Sequence, residues 1–591
     1  MPSIYIDGQK IEAQKDQTVI EAAYANGIQV PHFCWHPELS VAGNCRMCLV
    51  EIGMPKKLPD GSFEKGPDGE DIVNYMPKLQ IACATPATEG LRVKIKSEKA
   101  KRAQEAVMEF LLINHPLDCP ICDEAGECKL QDYAYTQSRG ESRFEETKNK
   151  KPKRVLWGDT VVYDAERCIL CSRCIRYANE EAEQPVLSFI QRNDHVYIEV
   201  GEGQKWDNPY SMNVIEICPV GALTSADFRF RARVWEMSFN DSICPGCSRG
   251  CNMKVGVRSN NEALRLNPRT NMYVNKYWMC DYGRLTQYRY LNENRVKFPR
   301  IKQDGVQVDT SWDEMFLGAA DLLKNYRGND ILFVASARAT TEDNHVLNKF
   351  ASEVAGSQNI AFIRHIDESF GDDYLRVSDI TPNYTGAFEL GIPMYTKEDF
   401  IKKFAPELAS GKYKAMYVME EDFSDMPEIM SALDKLELLA VHATNDTEFA
   451  KRADLLFAAS TYAEIEGTFI NIDKRVQLFS PALTTNENWR HMGMRLGRWD
   501  KFGADNDKFM QREERLCRQS WAILKGLAKA MGTDFNFKNS EDVFDDIVKN
   551  YVAFNAMTYE LLEKHQGLVL NRGDKPDPIV VNYESHKLKP E

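Results

Sequence analysis

Residues 168–174 read Cys168-Ile169-Leu170-Cys171-Ser172-Arg173-Cys174, and Cys218-Pro219 follows far downstream. Three thiols spaced by two residues wrap one short loop around a single point, and the later Cys-Pro offers a fourth ligand. This is the spacing by which a chain grips a [4Fe–4S] cluster. Zinc sites are more often built from paired two-cysteine hooks, which a triplet of this kind does not resemble. Cys168, Cys171, Cys174 and Cys218 therefore form one predicted four-iron site.

Upstream lie two further groups. His115-x3-Cys119-x2-Cys122-x5-Cys128 has three cysteines, one short of a cluster. A histidine by itself reads as a surface or capping residue, but His115 stands beside an incomplete set and can complete it. A neutral imidazole in place of a thiolate leaves the centre less negative and raises its potential. Before it comes Cys34-x10-Cys45-x2-Cys48-x34-Cys83. Three thiolates on a glycine-containing loop with one remote partner is the plant-type pattern for [2Fe–2S]; a four-thiolate zinc site is the alternative. Downstream, Cys244-x2-Cys247-x3-Cys251-x28-Cys280 fits a third [4Fe–4S] site, although its leading Cys-Pro-Gly-Cys also suits a zinc knuckle.

The count supports all four. Of 16 cysteines, all but Cys517 lie between Cys34 and Cys280, and with His115 they make four complete sets with none left over. Cys517, in a stretch read as helical (Arg515-Leu516-Cys517-Arg518), is left as a structural thiol. Disulfides are not expected. The N-terminus has no basic n-region or apolar h-region of a secretory leader, and a large chain in a reducing compartment keeps its thiols free.

The 591 residues carry 74 Lys and Arg against 88 Asp and Glu, a net charge of −14. That excludes a phosphate-coating nucleic-acid binder and predicts little direct attraction to anionic lipid. No run of about 18 apolar residues is present to cross a membrane. The nearest glycine-rich pattern, Gly201-Glu202-Gly203-Gln204-Lys205-Trp206, ends in Trp where a dinucleotide fingerprint needs Gly.

Between these motifs the chain reads as multidomain α+β and α/β. Residues 1–96 alternate short strands (Ile4–Ile6, Leu49–Ile52, Leu91–Ile95) with one helix capped by Thr18. Gly53 to Pro77 is rich in turn residues and reads as an excursion loop or hairpin. A helix starts at Ser97, with Ala100, Ala103, Val107, Phe110 and Leu111 on one face, and Pro116 beyond its end. Residues 140–155 are polar and basic, an exposed crossing. From 294 the pattern becomes α/β, with Ile331–Val334, Ala415–Val418 and Leu438–Val441 as buried parallel strands and Thr341–Val354 as a helix. The last residues form a tail.

These motifs resemble the large iron–sulfur subunits of NADH-quinone oxidoreductase, respiratory complex I. The resemblance rests on Cys45-Arg46-Met47-Cys48, His115-Pro116-Leu117-Asp118-Cys119-Pro120-Ile121-Cys122, Cys168-Ile169-Leu170-Cys171-Ser172-Arg173-Cys174 and Cys218-Pro219-Val220-Gly221-Ala222-Leu223. Ser311-Trp312-Asp313-Glu314, Glu464-Ile465-Glu466-Gly467-Thr468-Phe469-Ile470-Asn471 and Arg475-Val476-Gln477 resemble the molybdopterin oxidoreductase scaffold. The resemblance implies a β-grasp [2Fe–2S] domain (1–96), a His/Cys-ligated [4Fe–4S] segment (97–154) and a ferredoxin-like [4Fe–4S] domain (155–236). A molybdopterin-oxidoreductase-type [4Fe–4S] domain (237–293), a truncated α/β scaffold without its cofactor (294–571) and a tail (572–591) complete it. The Cys48–Cys83 interval is longer than the family pattern, so 53–77 is an added surface.

What this implies is an electron relay with one [2Fe–2S] and three [4Fe–4S] clusters, no molybdopterin, FMN or NAD, and no NADH or quinone site. Its partners are the FMN/NADH-binding subunit, the small [2Fe–2S] subunit and the iron–sulfur subunit of the quinone module. It sits peripherally on the cytoplasmic side of a bacterial inner membrane, reaching the membrane only through the complex. Two other readings stand beside it. A molybdenum enzyme of formate dehydrogenase type shares the cluster modules; no Cys lies between 281 and 516, which leaves Ser or Asp to ligate the metal, and an iron-only hydrogenase, which needs several further cysteines in that half, finds only Cys517. A zinc-stabilised assembly scaffold predicts a colourless protein.

Overall fold

The computed structural model describes residues 1–60, 62–67, 69–258, 261–486, 515–572 and 577, so the predicted tail falls almost wholly outside the described residues. The chain forms two compact units, one comprising Met1–Trp235 and a second opening at Glu236.

The first unit begins with a mixed sheet whose strands run in the order Gln9–Glu12, Ser3–Ile6, Arg92–Lys94, Leu49–Pro55, Val73–Tyr75, with Gln80–Ile81 paired to the start of Leu49–Pro55. Helix α1 (Val19–Ala25) starts at a capping box in which Thr18 and Glu21 satisfy each other's backbone N–H groups. The 53–77 segment is a hairpin: Leu49–Pro55 pairs antiparallel with Val73–Tyr75, and the bridges Lys57–Phe63 and Lys65–Asp71 continue it outward.

Helix α2 (Glu98–Ile113) starts at Ser97 as predicted, but its face is turned. Ala100, Gln104 and Met108 are buried, one every four residues, whereas Phe110 is 75% exposed. Apolar periodicity over-weighted Phe110; the buried row follows the i, i+4 ridge through a glutamine whose amide reaches the Leu49 carbonyl. The basic crossing after helix α3 (Lys129–Thr136) is fastened at several points. Lys148 Nζ donates to the carbonyls of Leu112 and Ile113 at the end of α2, Lys151 Nζ to Val196 O, and Lys153 Nζ to Asp118. Two small antiparallel sheets with helices α4 (Arg173–Glu180) and α5 (Asn213–Ile217) complete this unit.

The second unit opens with an antiparallel sheet of Met237–Ile243, Asn252–Arg258 and Glu262–Pro268, followed by α6 (Asp281–Thr286). Its main sheet has eight strands in the order Val306–Asp309, Arg300–Gln303, Leu455–Ala458, Leu438–Ala443, Ala415–Met419, Ile331–Ser336, Ile360–Arg364, Met394–Thr396. The last six are parallel, and the three predicted strands lie at the centre, fully buried. Ser311 and Glu314 form a second capping box at the start of Trp312–Leu323. Cys517 is buried but in extended rather than helical backbone. Arg518 N–H pairs with Ala458 O, and Arg518 O accepts from Ser460 N–H, laying this segment beside the end of Leu455–Ala458 before helix Ser520–Ala530 begins.

Candidate metal centres

In the first group, Cys34, Cys45 and Cys48 lie on one loop whose turn needs left-handed backbone at Gly43 (φ +60°) and Arg46 (φ +61°). Gly43 also has Ile81 Cδ1 at 3.0 Å from where a β-carbon would stand. Cys34 N–H points at Cys45 Sγ, 3.5 Å away. The hydrogen bond from the Cys45 thiol holds Cys34 down to about 5, while the same bond pushes Cys45 up. Cys83 reaches the others despite the long interval because Leu49–Val50 pairs with Gln80–Ile81, returning the chain to where the hairpin left it. Cys48 Sγ and Cys83 Sγ stand 3.4 Å apart.

In the second group, His115 follows the end of α2. Burial, with Arg167 and Lys148 nearby, lowers its pKa to about 4, so it is neutral at physiological pH, the form that binds metal. Cys122 and Cys128 are buried and feel one another; burial pushes them up to about 11 and about 12. His115 and Cys122 share Arg167 as an electrostatic neighbour. Cys119, at the start of the short turn Cys119–Ile121, is exposed.

The third group is the most complete. Cys168, Cys171, Cys174 and Cys218 line one cavity together with Tyr163 and Ile198. The loop takes left-handed backbone at two non-glycine residues, Leu170 (φ +57°) and Ser172 (φ +63°), a strain of about 1–3 kcal/mol at each. That alternation turns N–H groups inward, and Leu170 N–H approaches Cys168 Sγ at 3.4 Å. Burial raises all four thiols, Cys168 to about 11.

The fourth group lies in the second unit. Cys244, Cys247 and Cys251 occupy the connection between the first two strands, and Cys280 caps α6, its Sγ accepting from Gly283 N–H at 3.3 Å. All four are buried, and burial together with their neighbouring sulfurs raises Cys244, Cys251 and Cys280, the last to about 12. A β-carbon on Gly283 would stand 3.1 Å from Cys244 Sγ and 3.5 Å from Cys280 Sγ.

Four buried thiols facing one another are a poor arrangement for protons alone, since each thiolate is opposed by the next and by desolvation. A multivalent cation replaces those protons and reverses the sign of the interaction. In the first, third and fourth groups the donor sets are four thiols with a backbone N–H directed at a sulfur, and so fit iron–sulfur clusters; in the second, Cys122 and Cys128 are buried while Cys119 is exposed.

Within the first unit the groups adjoin. Arg176 lies in the field of both Cys34 and Cys171, and Asn44 Nδ2 donates to Leu170 O at 3.2 Å, joining the first group to the third. The third meets the second at Gly221, whose added β-carbon would stand 2.2 Å from Cys122 Sγ, and at Lys129 N–H, which donates to Pro219 O at 3.1 Å. Cysteine spacing gives no sign of these bridging residues. The one hint is that Arg167, Arg173 and Arg176 stand within two positions of cysteine ligands in a chain of negative net charge.

The parallel sheet of the second unit changes direction between Ile331–Ser336 and Ala415–Met419, the place where doubly wound sheets bind dinucleotides. Here the carboxyl ends of those strands lead into the buried Glu342 and Asp343 and the half-buried Glu420, whose removal from solvent raises them to about 7, about 6 and about 8. Helix Thr341–Lys349 begins there already capped by Thr340 and Asp343. A pyrophosphate placed there meets the carboxyl groups of Glu342, Asp343 and Glu420 and a helix start at which Asp343 N–H already donates to Thr340 Oγ1 at 3.0 Å, so these residues do not fit a molybdopterin dinucleotide.

Residues 2–98 match the 2Fe-2S iron-sulfur cluster binding domain family, 104–143 the NADH-ubiquinone oxidoreductase-G iron-sulfur binding region, and 158–224 the ferredoxin-like domain of NADH-quinone oxidoreductase subunit 3. Residues 237–292 match the molybdopterin oxidoreductase Fe4S4 domain, and 382–492 the molybdopterin oxidoreductase family. The chain is 38% identical to the NADH-quinone oxidoreductase G subunit of Rickettsia bellii over 60% of its length and 48% of that protein. It is 36% identical to NADH-quinone oxidoreductase subunit 3 of Thermus thermophilus over 59% of its length and 46% of that protein. With the NADH-quinone oxidoreductase G subunit of Streptomyces coelicolor it shares 37% identity over 63% of its length and 42% of that protein. The chain thus spans about half the length of the curated relatives it matches.

Proposed function

We propose that this chain is an iron–sulfur electron-transfer subunit of NADH:quinone oxidoreductase, carrying single electrons from a flavin-bearing partner toward a quinone-reducing module. The supporting observation is the adjacency of three thiolate-rich groups within one compact unit, in a homologue of proteins that bear that name. The proposed ligands are Cys34, Cys45, Cys48 and Cys83 for a [2Fe–2S] centre, and His115, Cys119, Cys122 and Cys128 for the first [4Fe–4S] centre. Cys168, Cys171, Cys174 and Cys218 hold the second, and Cys244, Cys247, Cys251 and Cys280 the third. Such clusters, when bound, supply one-electron exchange at sulfur-ligated iron.

The polypeptide's part is placement and tuning. It keeps His115 neutral, surrounds the thiolates with buried side chains, and directs N–H groups at the sulfurs. Arg176 and Gly221 make the Cys168–Cys218 set the middle station, flanked by the Cys34 set and the His115 set. Beside Cys119 in the chain, Leu117 and Ile121 are exposed, apolar positions suited to a partner subunit at the His115 end. The partners proposed are the FMN/NADH-binding subunit, the small [2Fe–2S] subunit and the iron–sulfur subunit of the quinone module. No described helix is long and apolar enough to cross a membrane. Placement on the cytoplasmic face of a bacterial inner membrane follows from the proposed complex.

Anaerobic purification with metal and acid-labile sulfide analysis tests the reading. About fourteen irons per chain are expected, from one two-iron and three four-iron centres. A colourless protein carrying zinc and no labile sulfide overturns it.

A further inference from the structure

Helix α4 begins inside the third ligand group and turns two arginines, Arg173 and Arg176, toward the segment Cys34–Ser40 of the first. Arg173 is fully buried; it donates through Nη1 to Ile217 O at 2.9 Å, beside Cys218, and through Nη2 to Trp35 O, beside Cys34. Its Nε finds no acceptor among the described residues, and the side chain lines the cavity of the four cysteines. Arg176, also buried, donates to the carbonyls of Cys34 and Ser40 and, through Nε, to Ser172 Oγ at 3.2 Å. Among the hydrogen bonds described for these guanidiniums none goes to a carboxylate; the acidic group in range of Arg176 is Glu180, which accepts from Ser40. Two buried positive charges held mainly on carbonyls are costly unless other negative charge stands near.

Beyond Glu180, that charge is supplied when both neighbouring groups are loaded. A four-thiolate iron–sulfur centre is a net anion, and one electron makes it more negative. The field of Arg176 reaches Cys34 of the first group and Cys171 of the third, and that of Arg173 reaches Cys171. We infer that Arg176, supported by Arg173, is a shared positioning residue for the first and third centres, raising both potentials together and so keeping the step between them nearly level. This rests on the function proposed above. In the step one electron leaves the reduced two-iron centre and enters the oxidised four-iron centre. No bond forms or breaks and no proton moves, because a guanidinium stays charged throughout. The added negative charge would pass from the centre held by the Cys34 set to that held by the Cys168 set, and Arg176, a neighbour of Cys34 and Cys171, would stabilise it in both.

The test is potentiometric titration of the full chain with its clusters, followed by electron paramagnetic resonance, using dithionite as reductant. Arg176→Met removes the charge and keeps the length. At a fixed potential it is expected to raise the oxidised-to-reduced ratio of both the first and third centres about tenfold, equal to about 59 mV for one electron. The His115 centre, which neighbours Arg167 instead, is expected to stay within about twofold. Arg176→Lys keeps the charge while surrendering the fork, and is expected to leave both potentials near wild type. Unmoved potentials in Arg176→Met, or an equal shift of all three centres, overturn the inference. Should Arg176→Met assemble without its clusters, Arg176→Lys decides: wild-type potentials support a charge effect, and lowered ones overturn it. Wild-type protein lacking iron and sulfide overturns the proposed function itself; clusters present with unmoved potentials overturn only this inference.

Discussion

Cys122 Sγ lies 2.2 Å from the point where a β-carbon on Gly221 would stand. No real carbon tolerates that approach, so glycine at 221 is a condition for the Cys218–Leu223 loop to close over the second ligand group. Both partners are constrained: Cys122 by its turn, Gly221 by the strand Leu223–Ser225 that follows it. Gly221→Ala is therefore expected to push Cys122 out of line, at a cost of about 1–3 kcal/mol from overpacking. Iron analysis should show a loss of about four irons per chain, with the signal of the His115 centre gone and that of the Cys168 centre kept. Full iron content in this variant contradicts the adjacency.

His115 is the one non-thiolate ligand proposed. His115→Ala leaves that set with three cysteines, and the expected outcome is loss of one paramagnetic signal and of NADH-to-quinone electron flux. His115→Cys asks a finer question. A fourth thiolate adds negative charge, so a cluster that still assembles should have a lower potential than wild type. Retention of every signal at unchanged potential in His115→Ala removes His115 from the ligand set.

The sequence carried the chemistry further than the spatial relations. Ligand spacing is local, and so is the helix cap at Thr18, because each depends on residues close in the chain. The central strands were legible because a strand buried on both faces reads as an unbroken apolar run. Three features were not. Phe110 has the hydrophobicity of a core residue and is exposed, since periodicity reports which residues could face a core, not which face is turned to it. Cys517 sits among residues with ordinary helix preference, yet the backbone of its neighbour Arg518 is claimed by pairing with Ala458 and Ser460. Arg176 and Gly221 act on sulfurs more than 90 residues away in one case and more than 130 in the other, and no periodic pattern records that.

The hairpin beyond Pro55 is separable from the site it interrupts. Cys48 and Cys83 are set by the pairing of Leu49–Val50 with Gln80–Ile81, and the outer hairpin pairs its backbone with itself from Lys56 onward, where Lys56 N–H meets Ile72 O at 2.8 Å, although Asp71 also accepts from Arg92 of the sheet at 2.7 Å. Replacing residues 57–71 with an Asn-Gly turn, which matches strand twist, keeps that last pair closed. The two-iron signal should persist at wild-type intensity. Its disappearance would make the hairpin part of the cluster fold.

Glu464 is fully buried between two guanidiniums, with Arg295 bound bidentately at 2.8 and 3.0 Å and Arg515 at 2.9 Å. Burial alone would raise its carboxyl; the two arginines overcome this and hold it at about 2, below its ordinary 4.5. Glu464→Gln removes the buried negative charge that both guanidiniums share, and a loss of about 3–5 kcal/mol is expected. The pH dependence has a fixed sign. Because the folded pKa is depressed, the stabilisation from Glu464 is complete above about 4.5 and is lost as pH falls from there toward about 2. Denaturant melts of wild type and Glu464→Gln should therefore differ most at neutral pH and converge below pH 4.5. A difference that stays constant down to pH 3 would mean that the carboxylate charge is not what holds Arg295 and Arg515 in place.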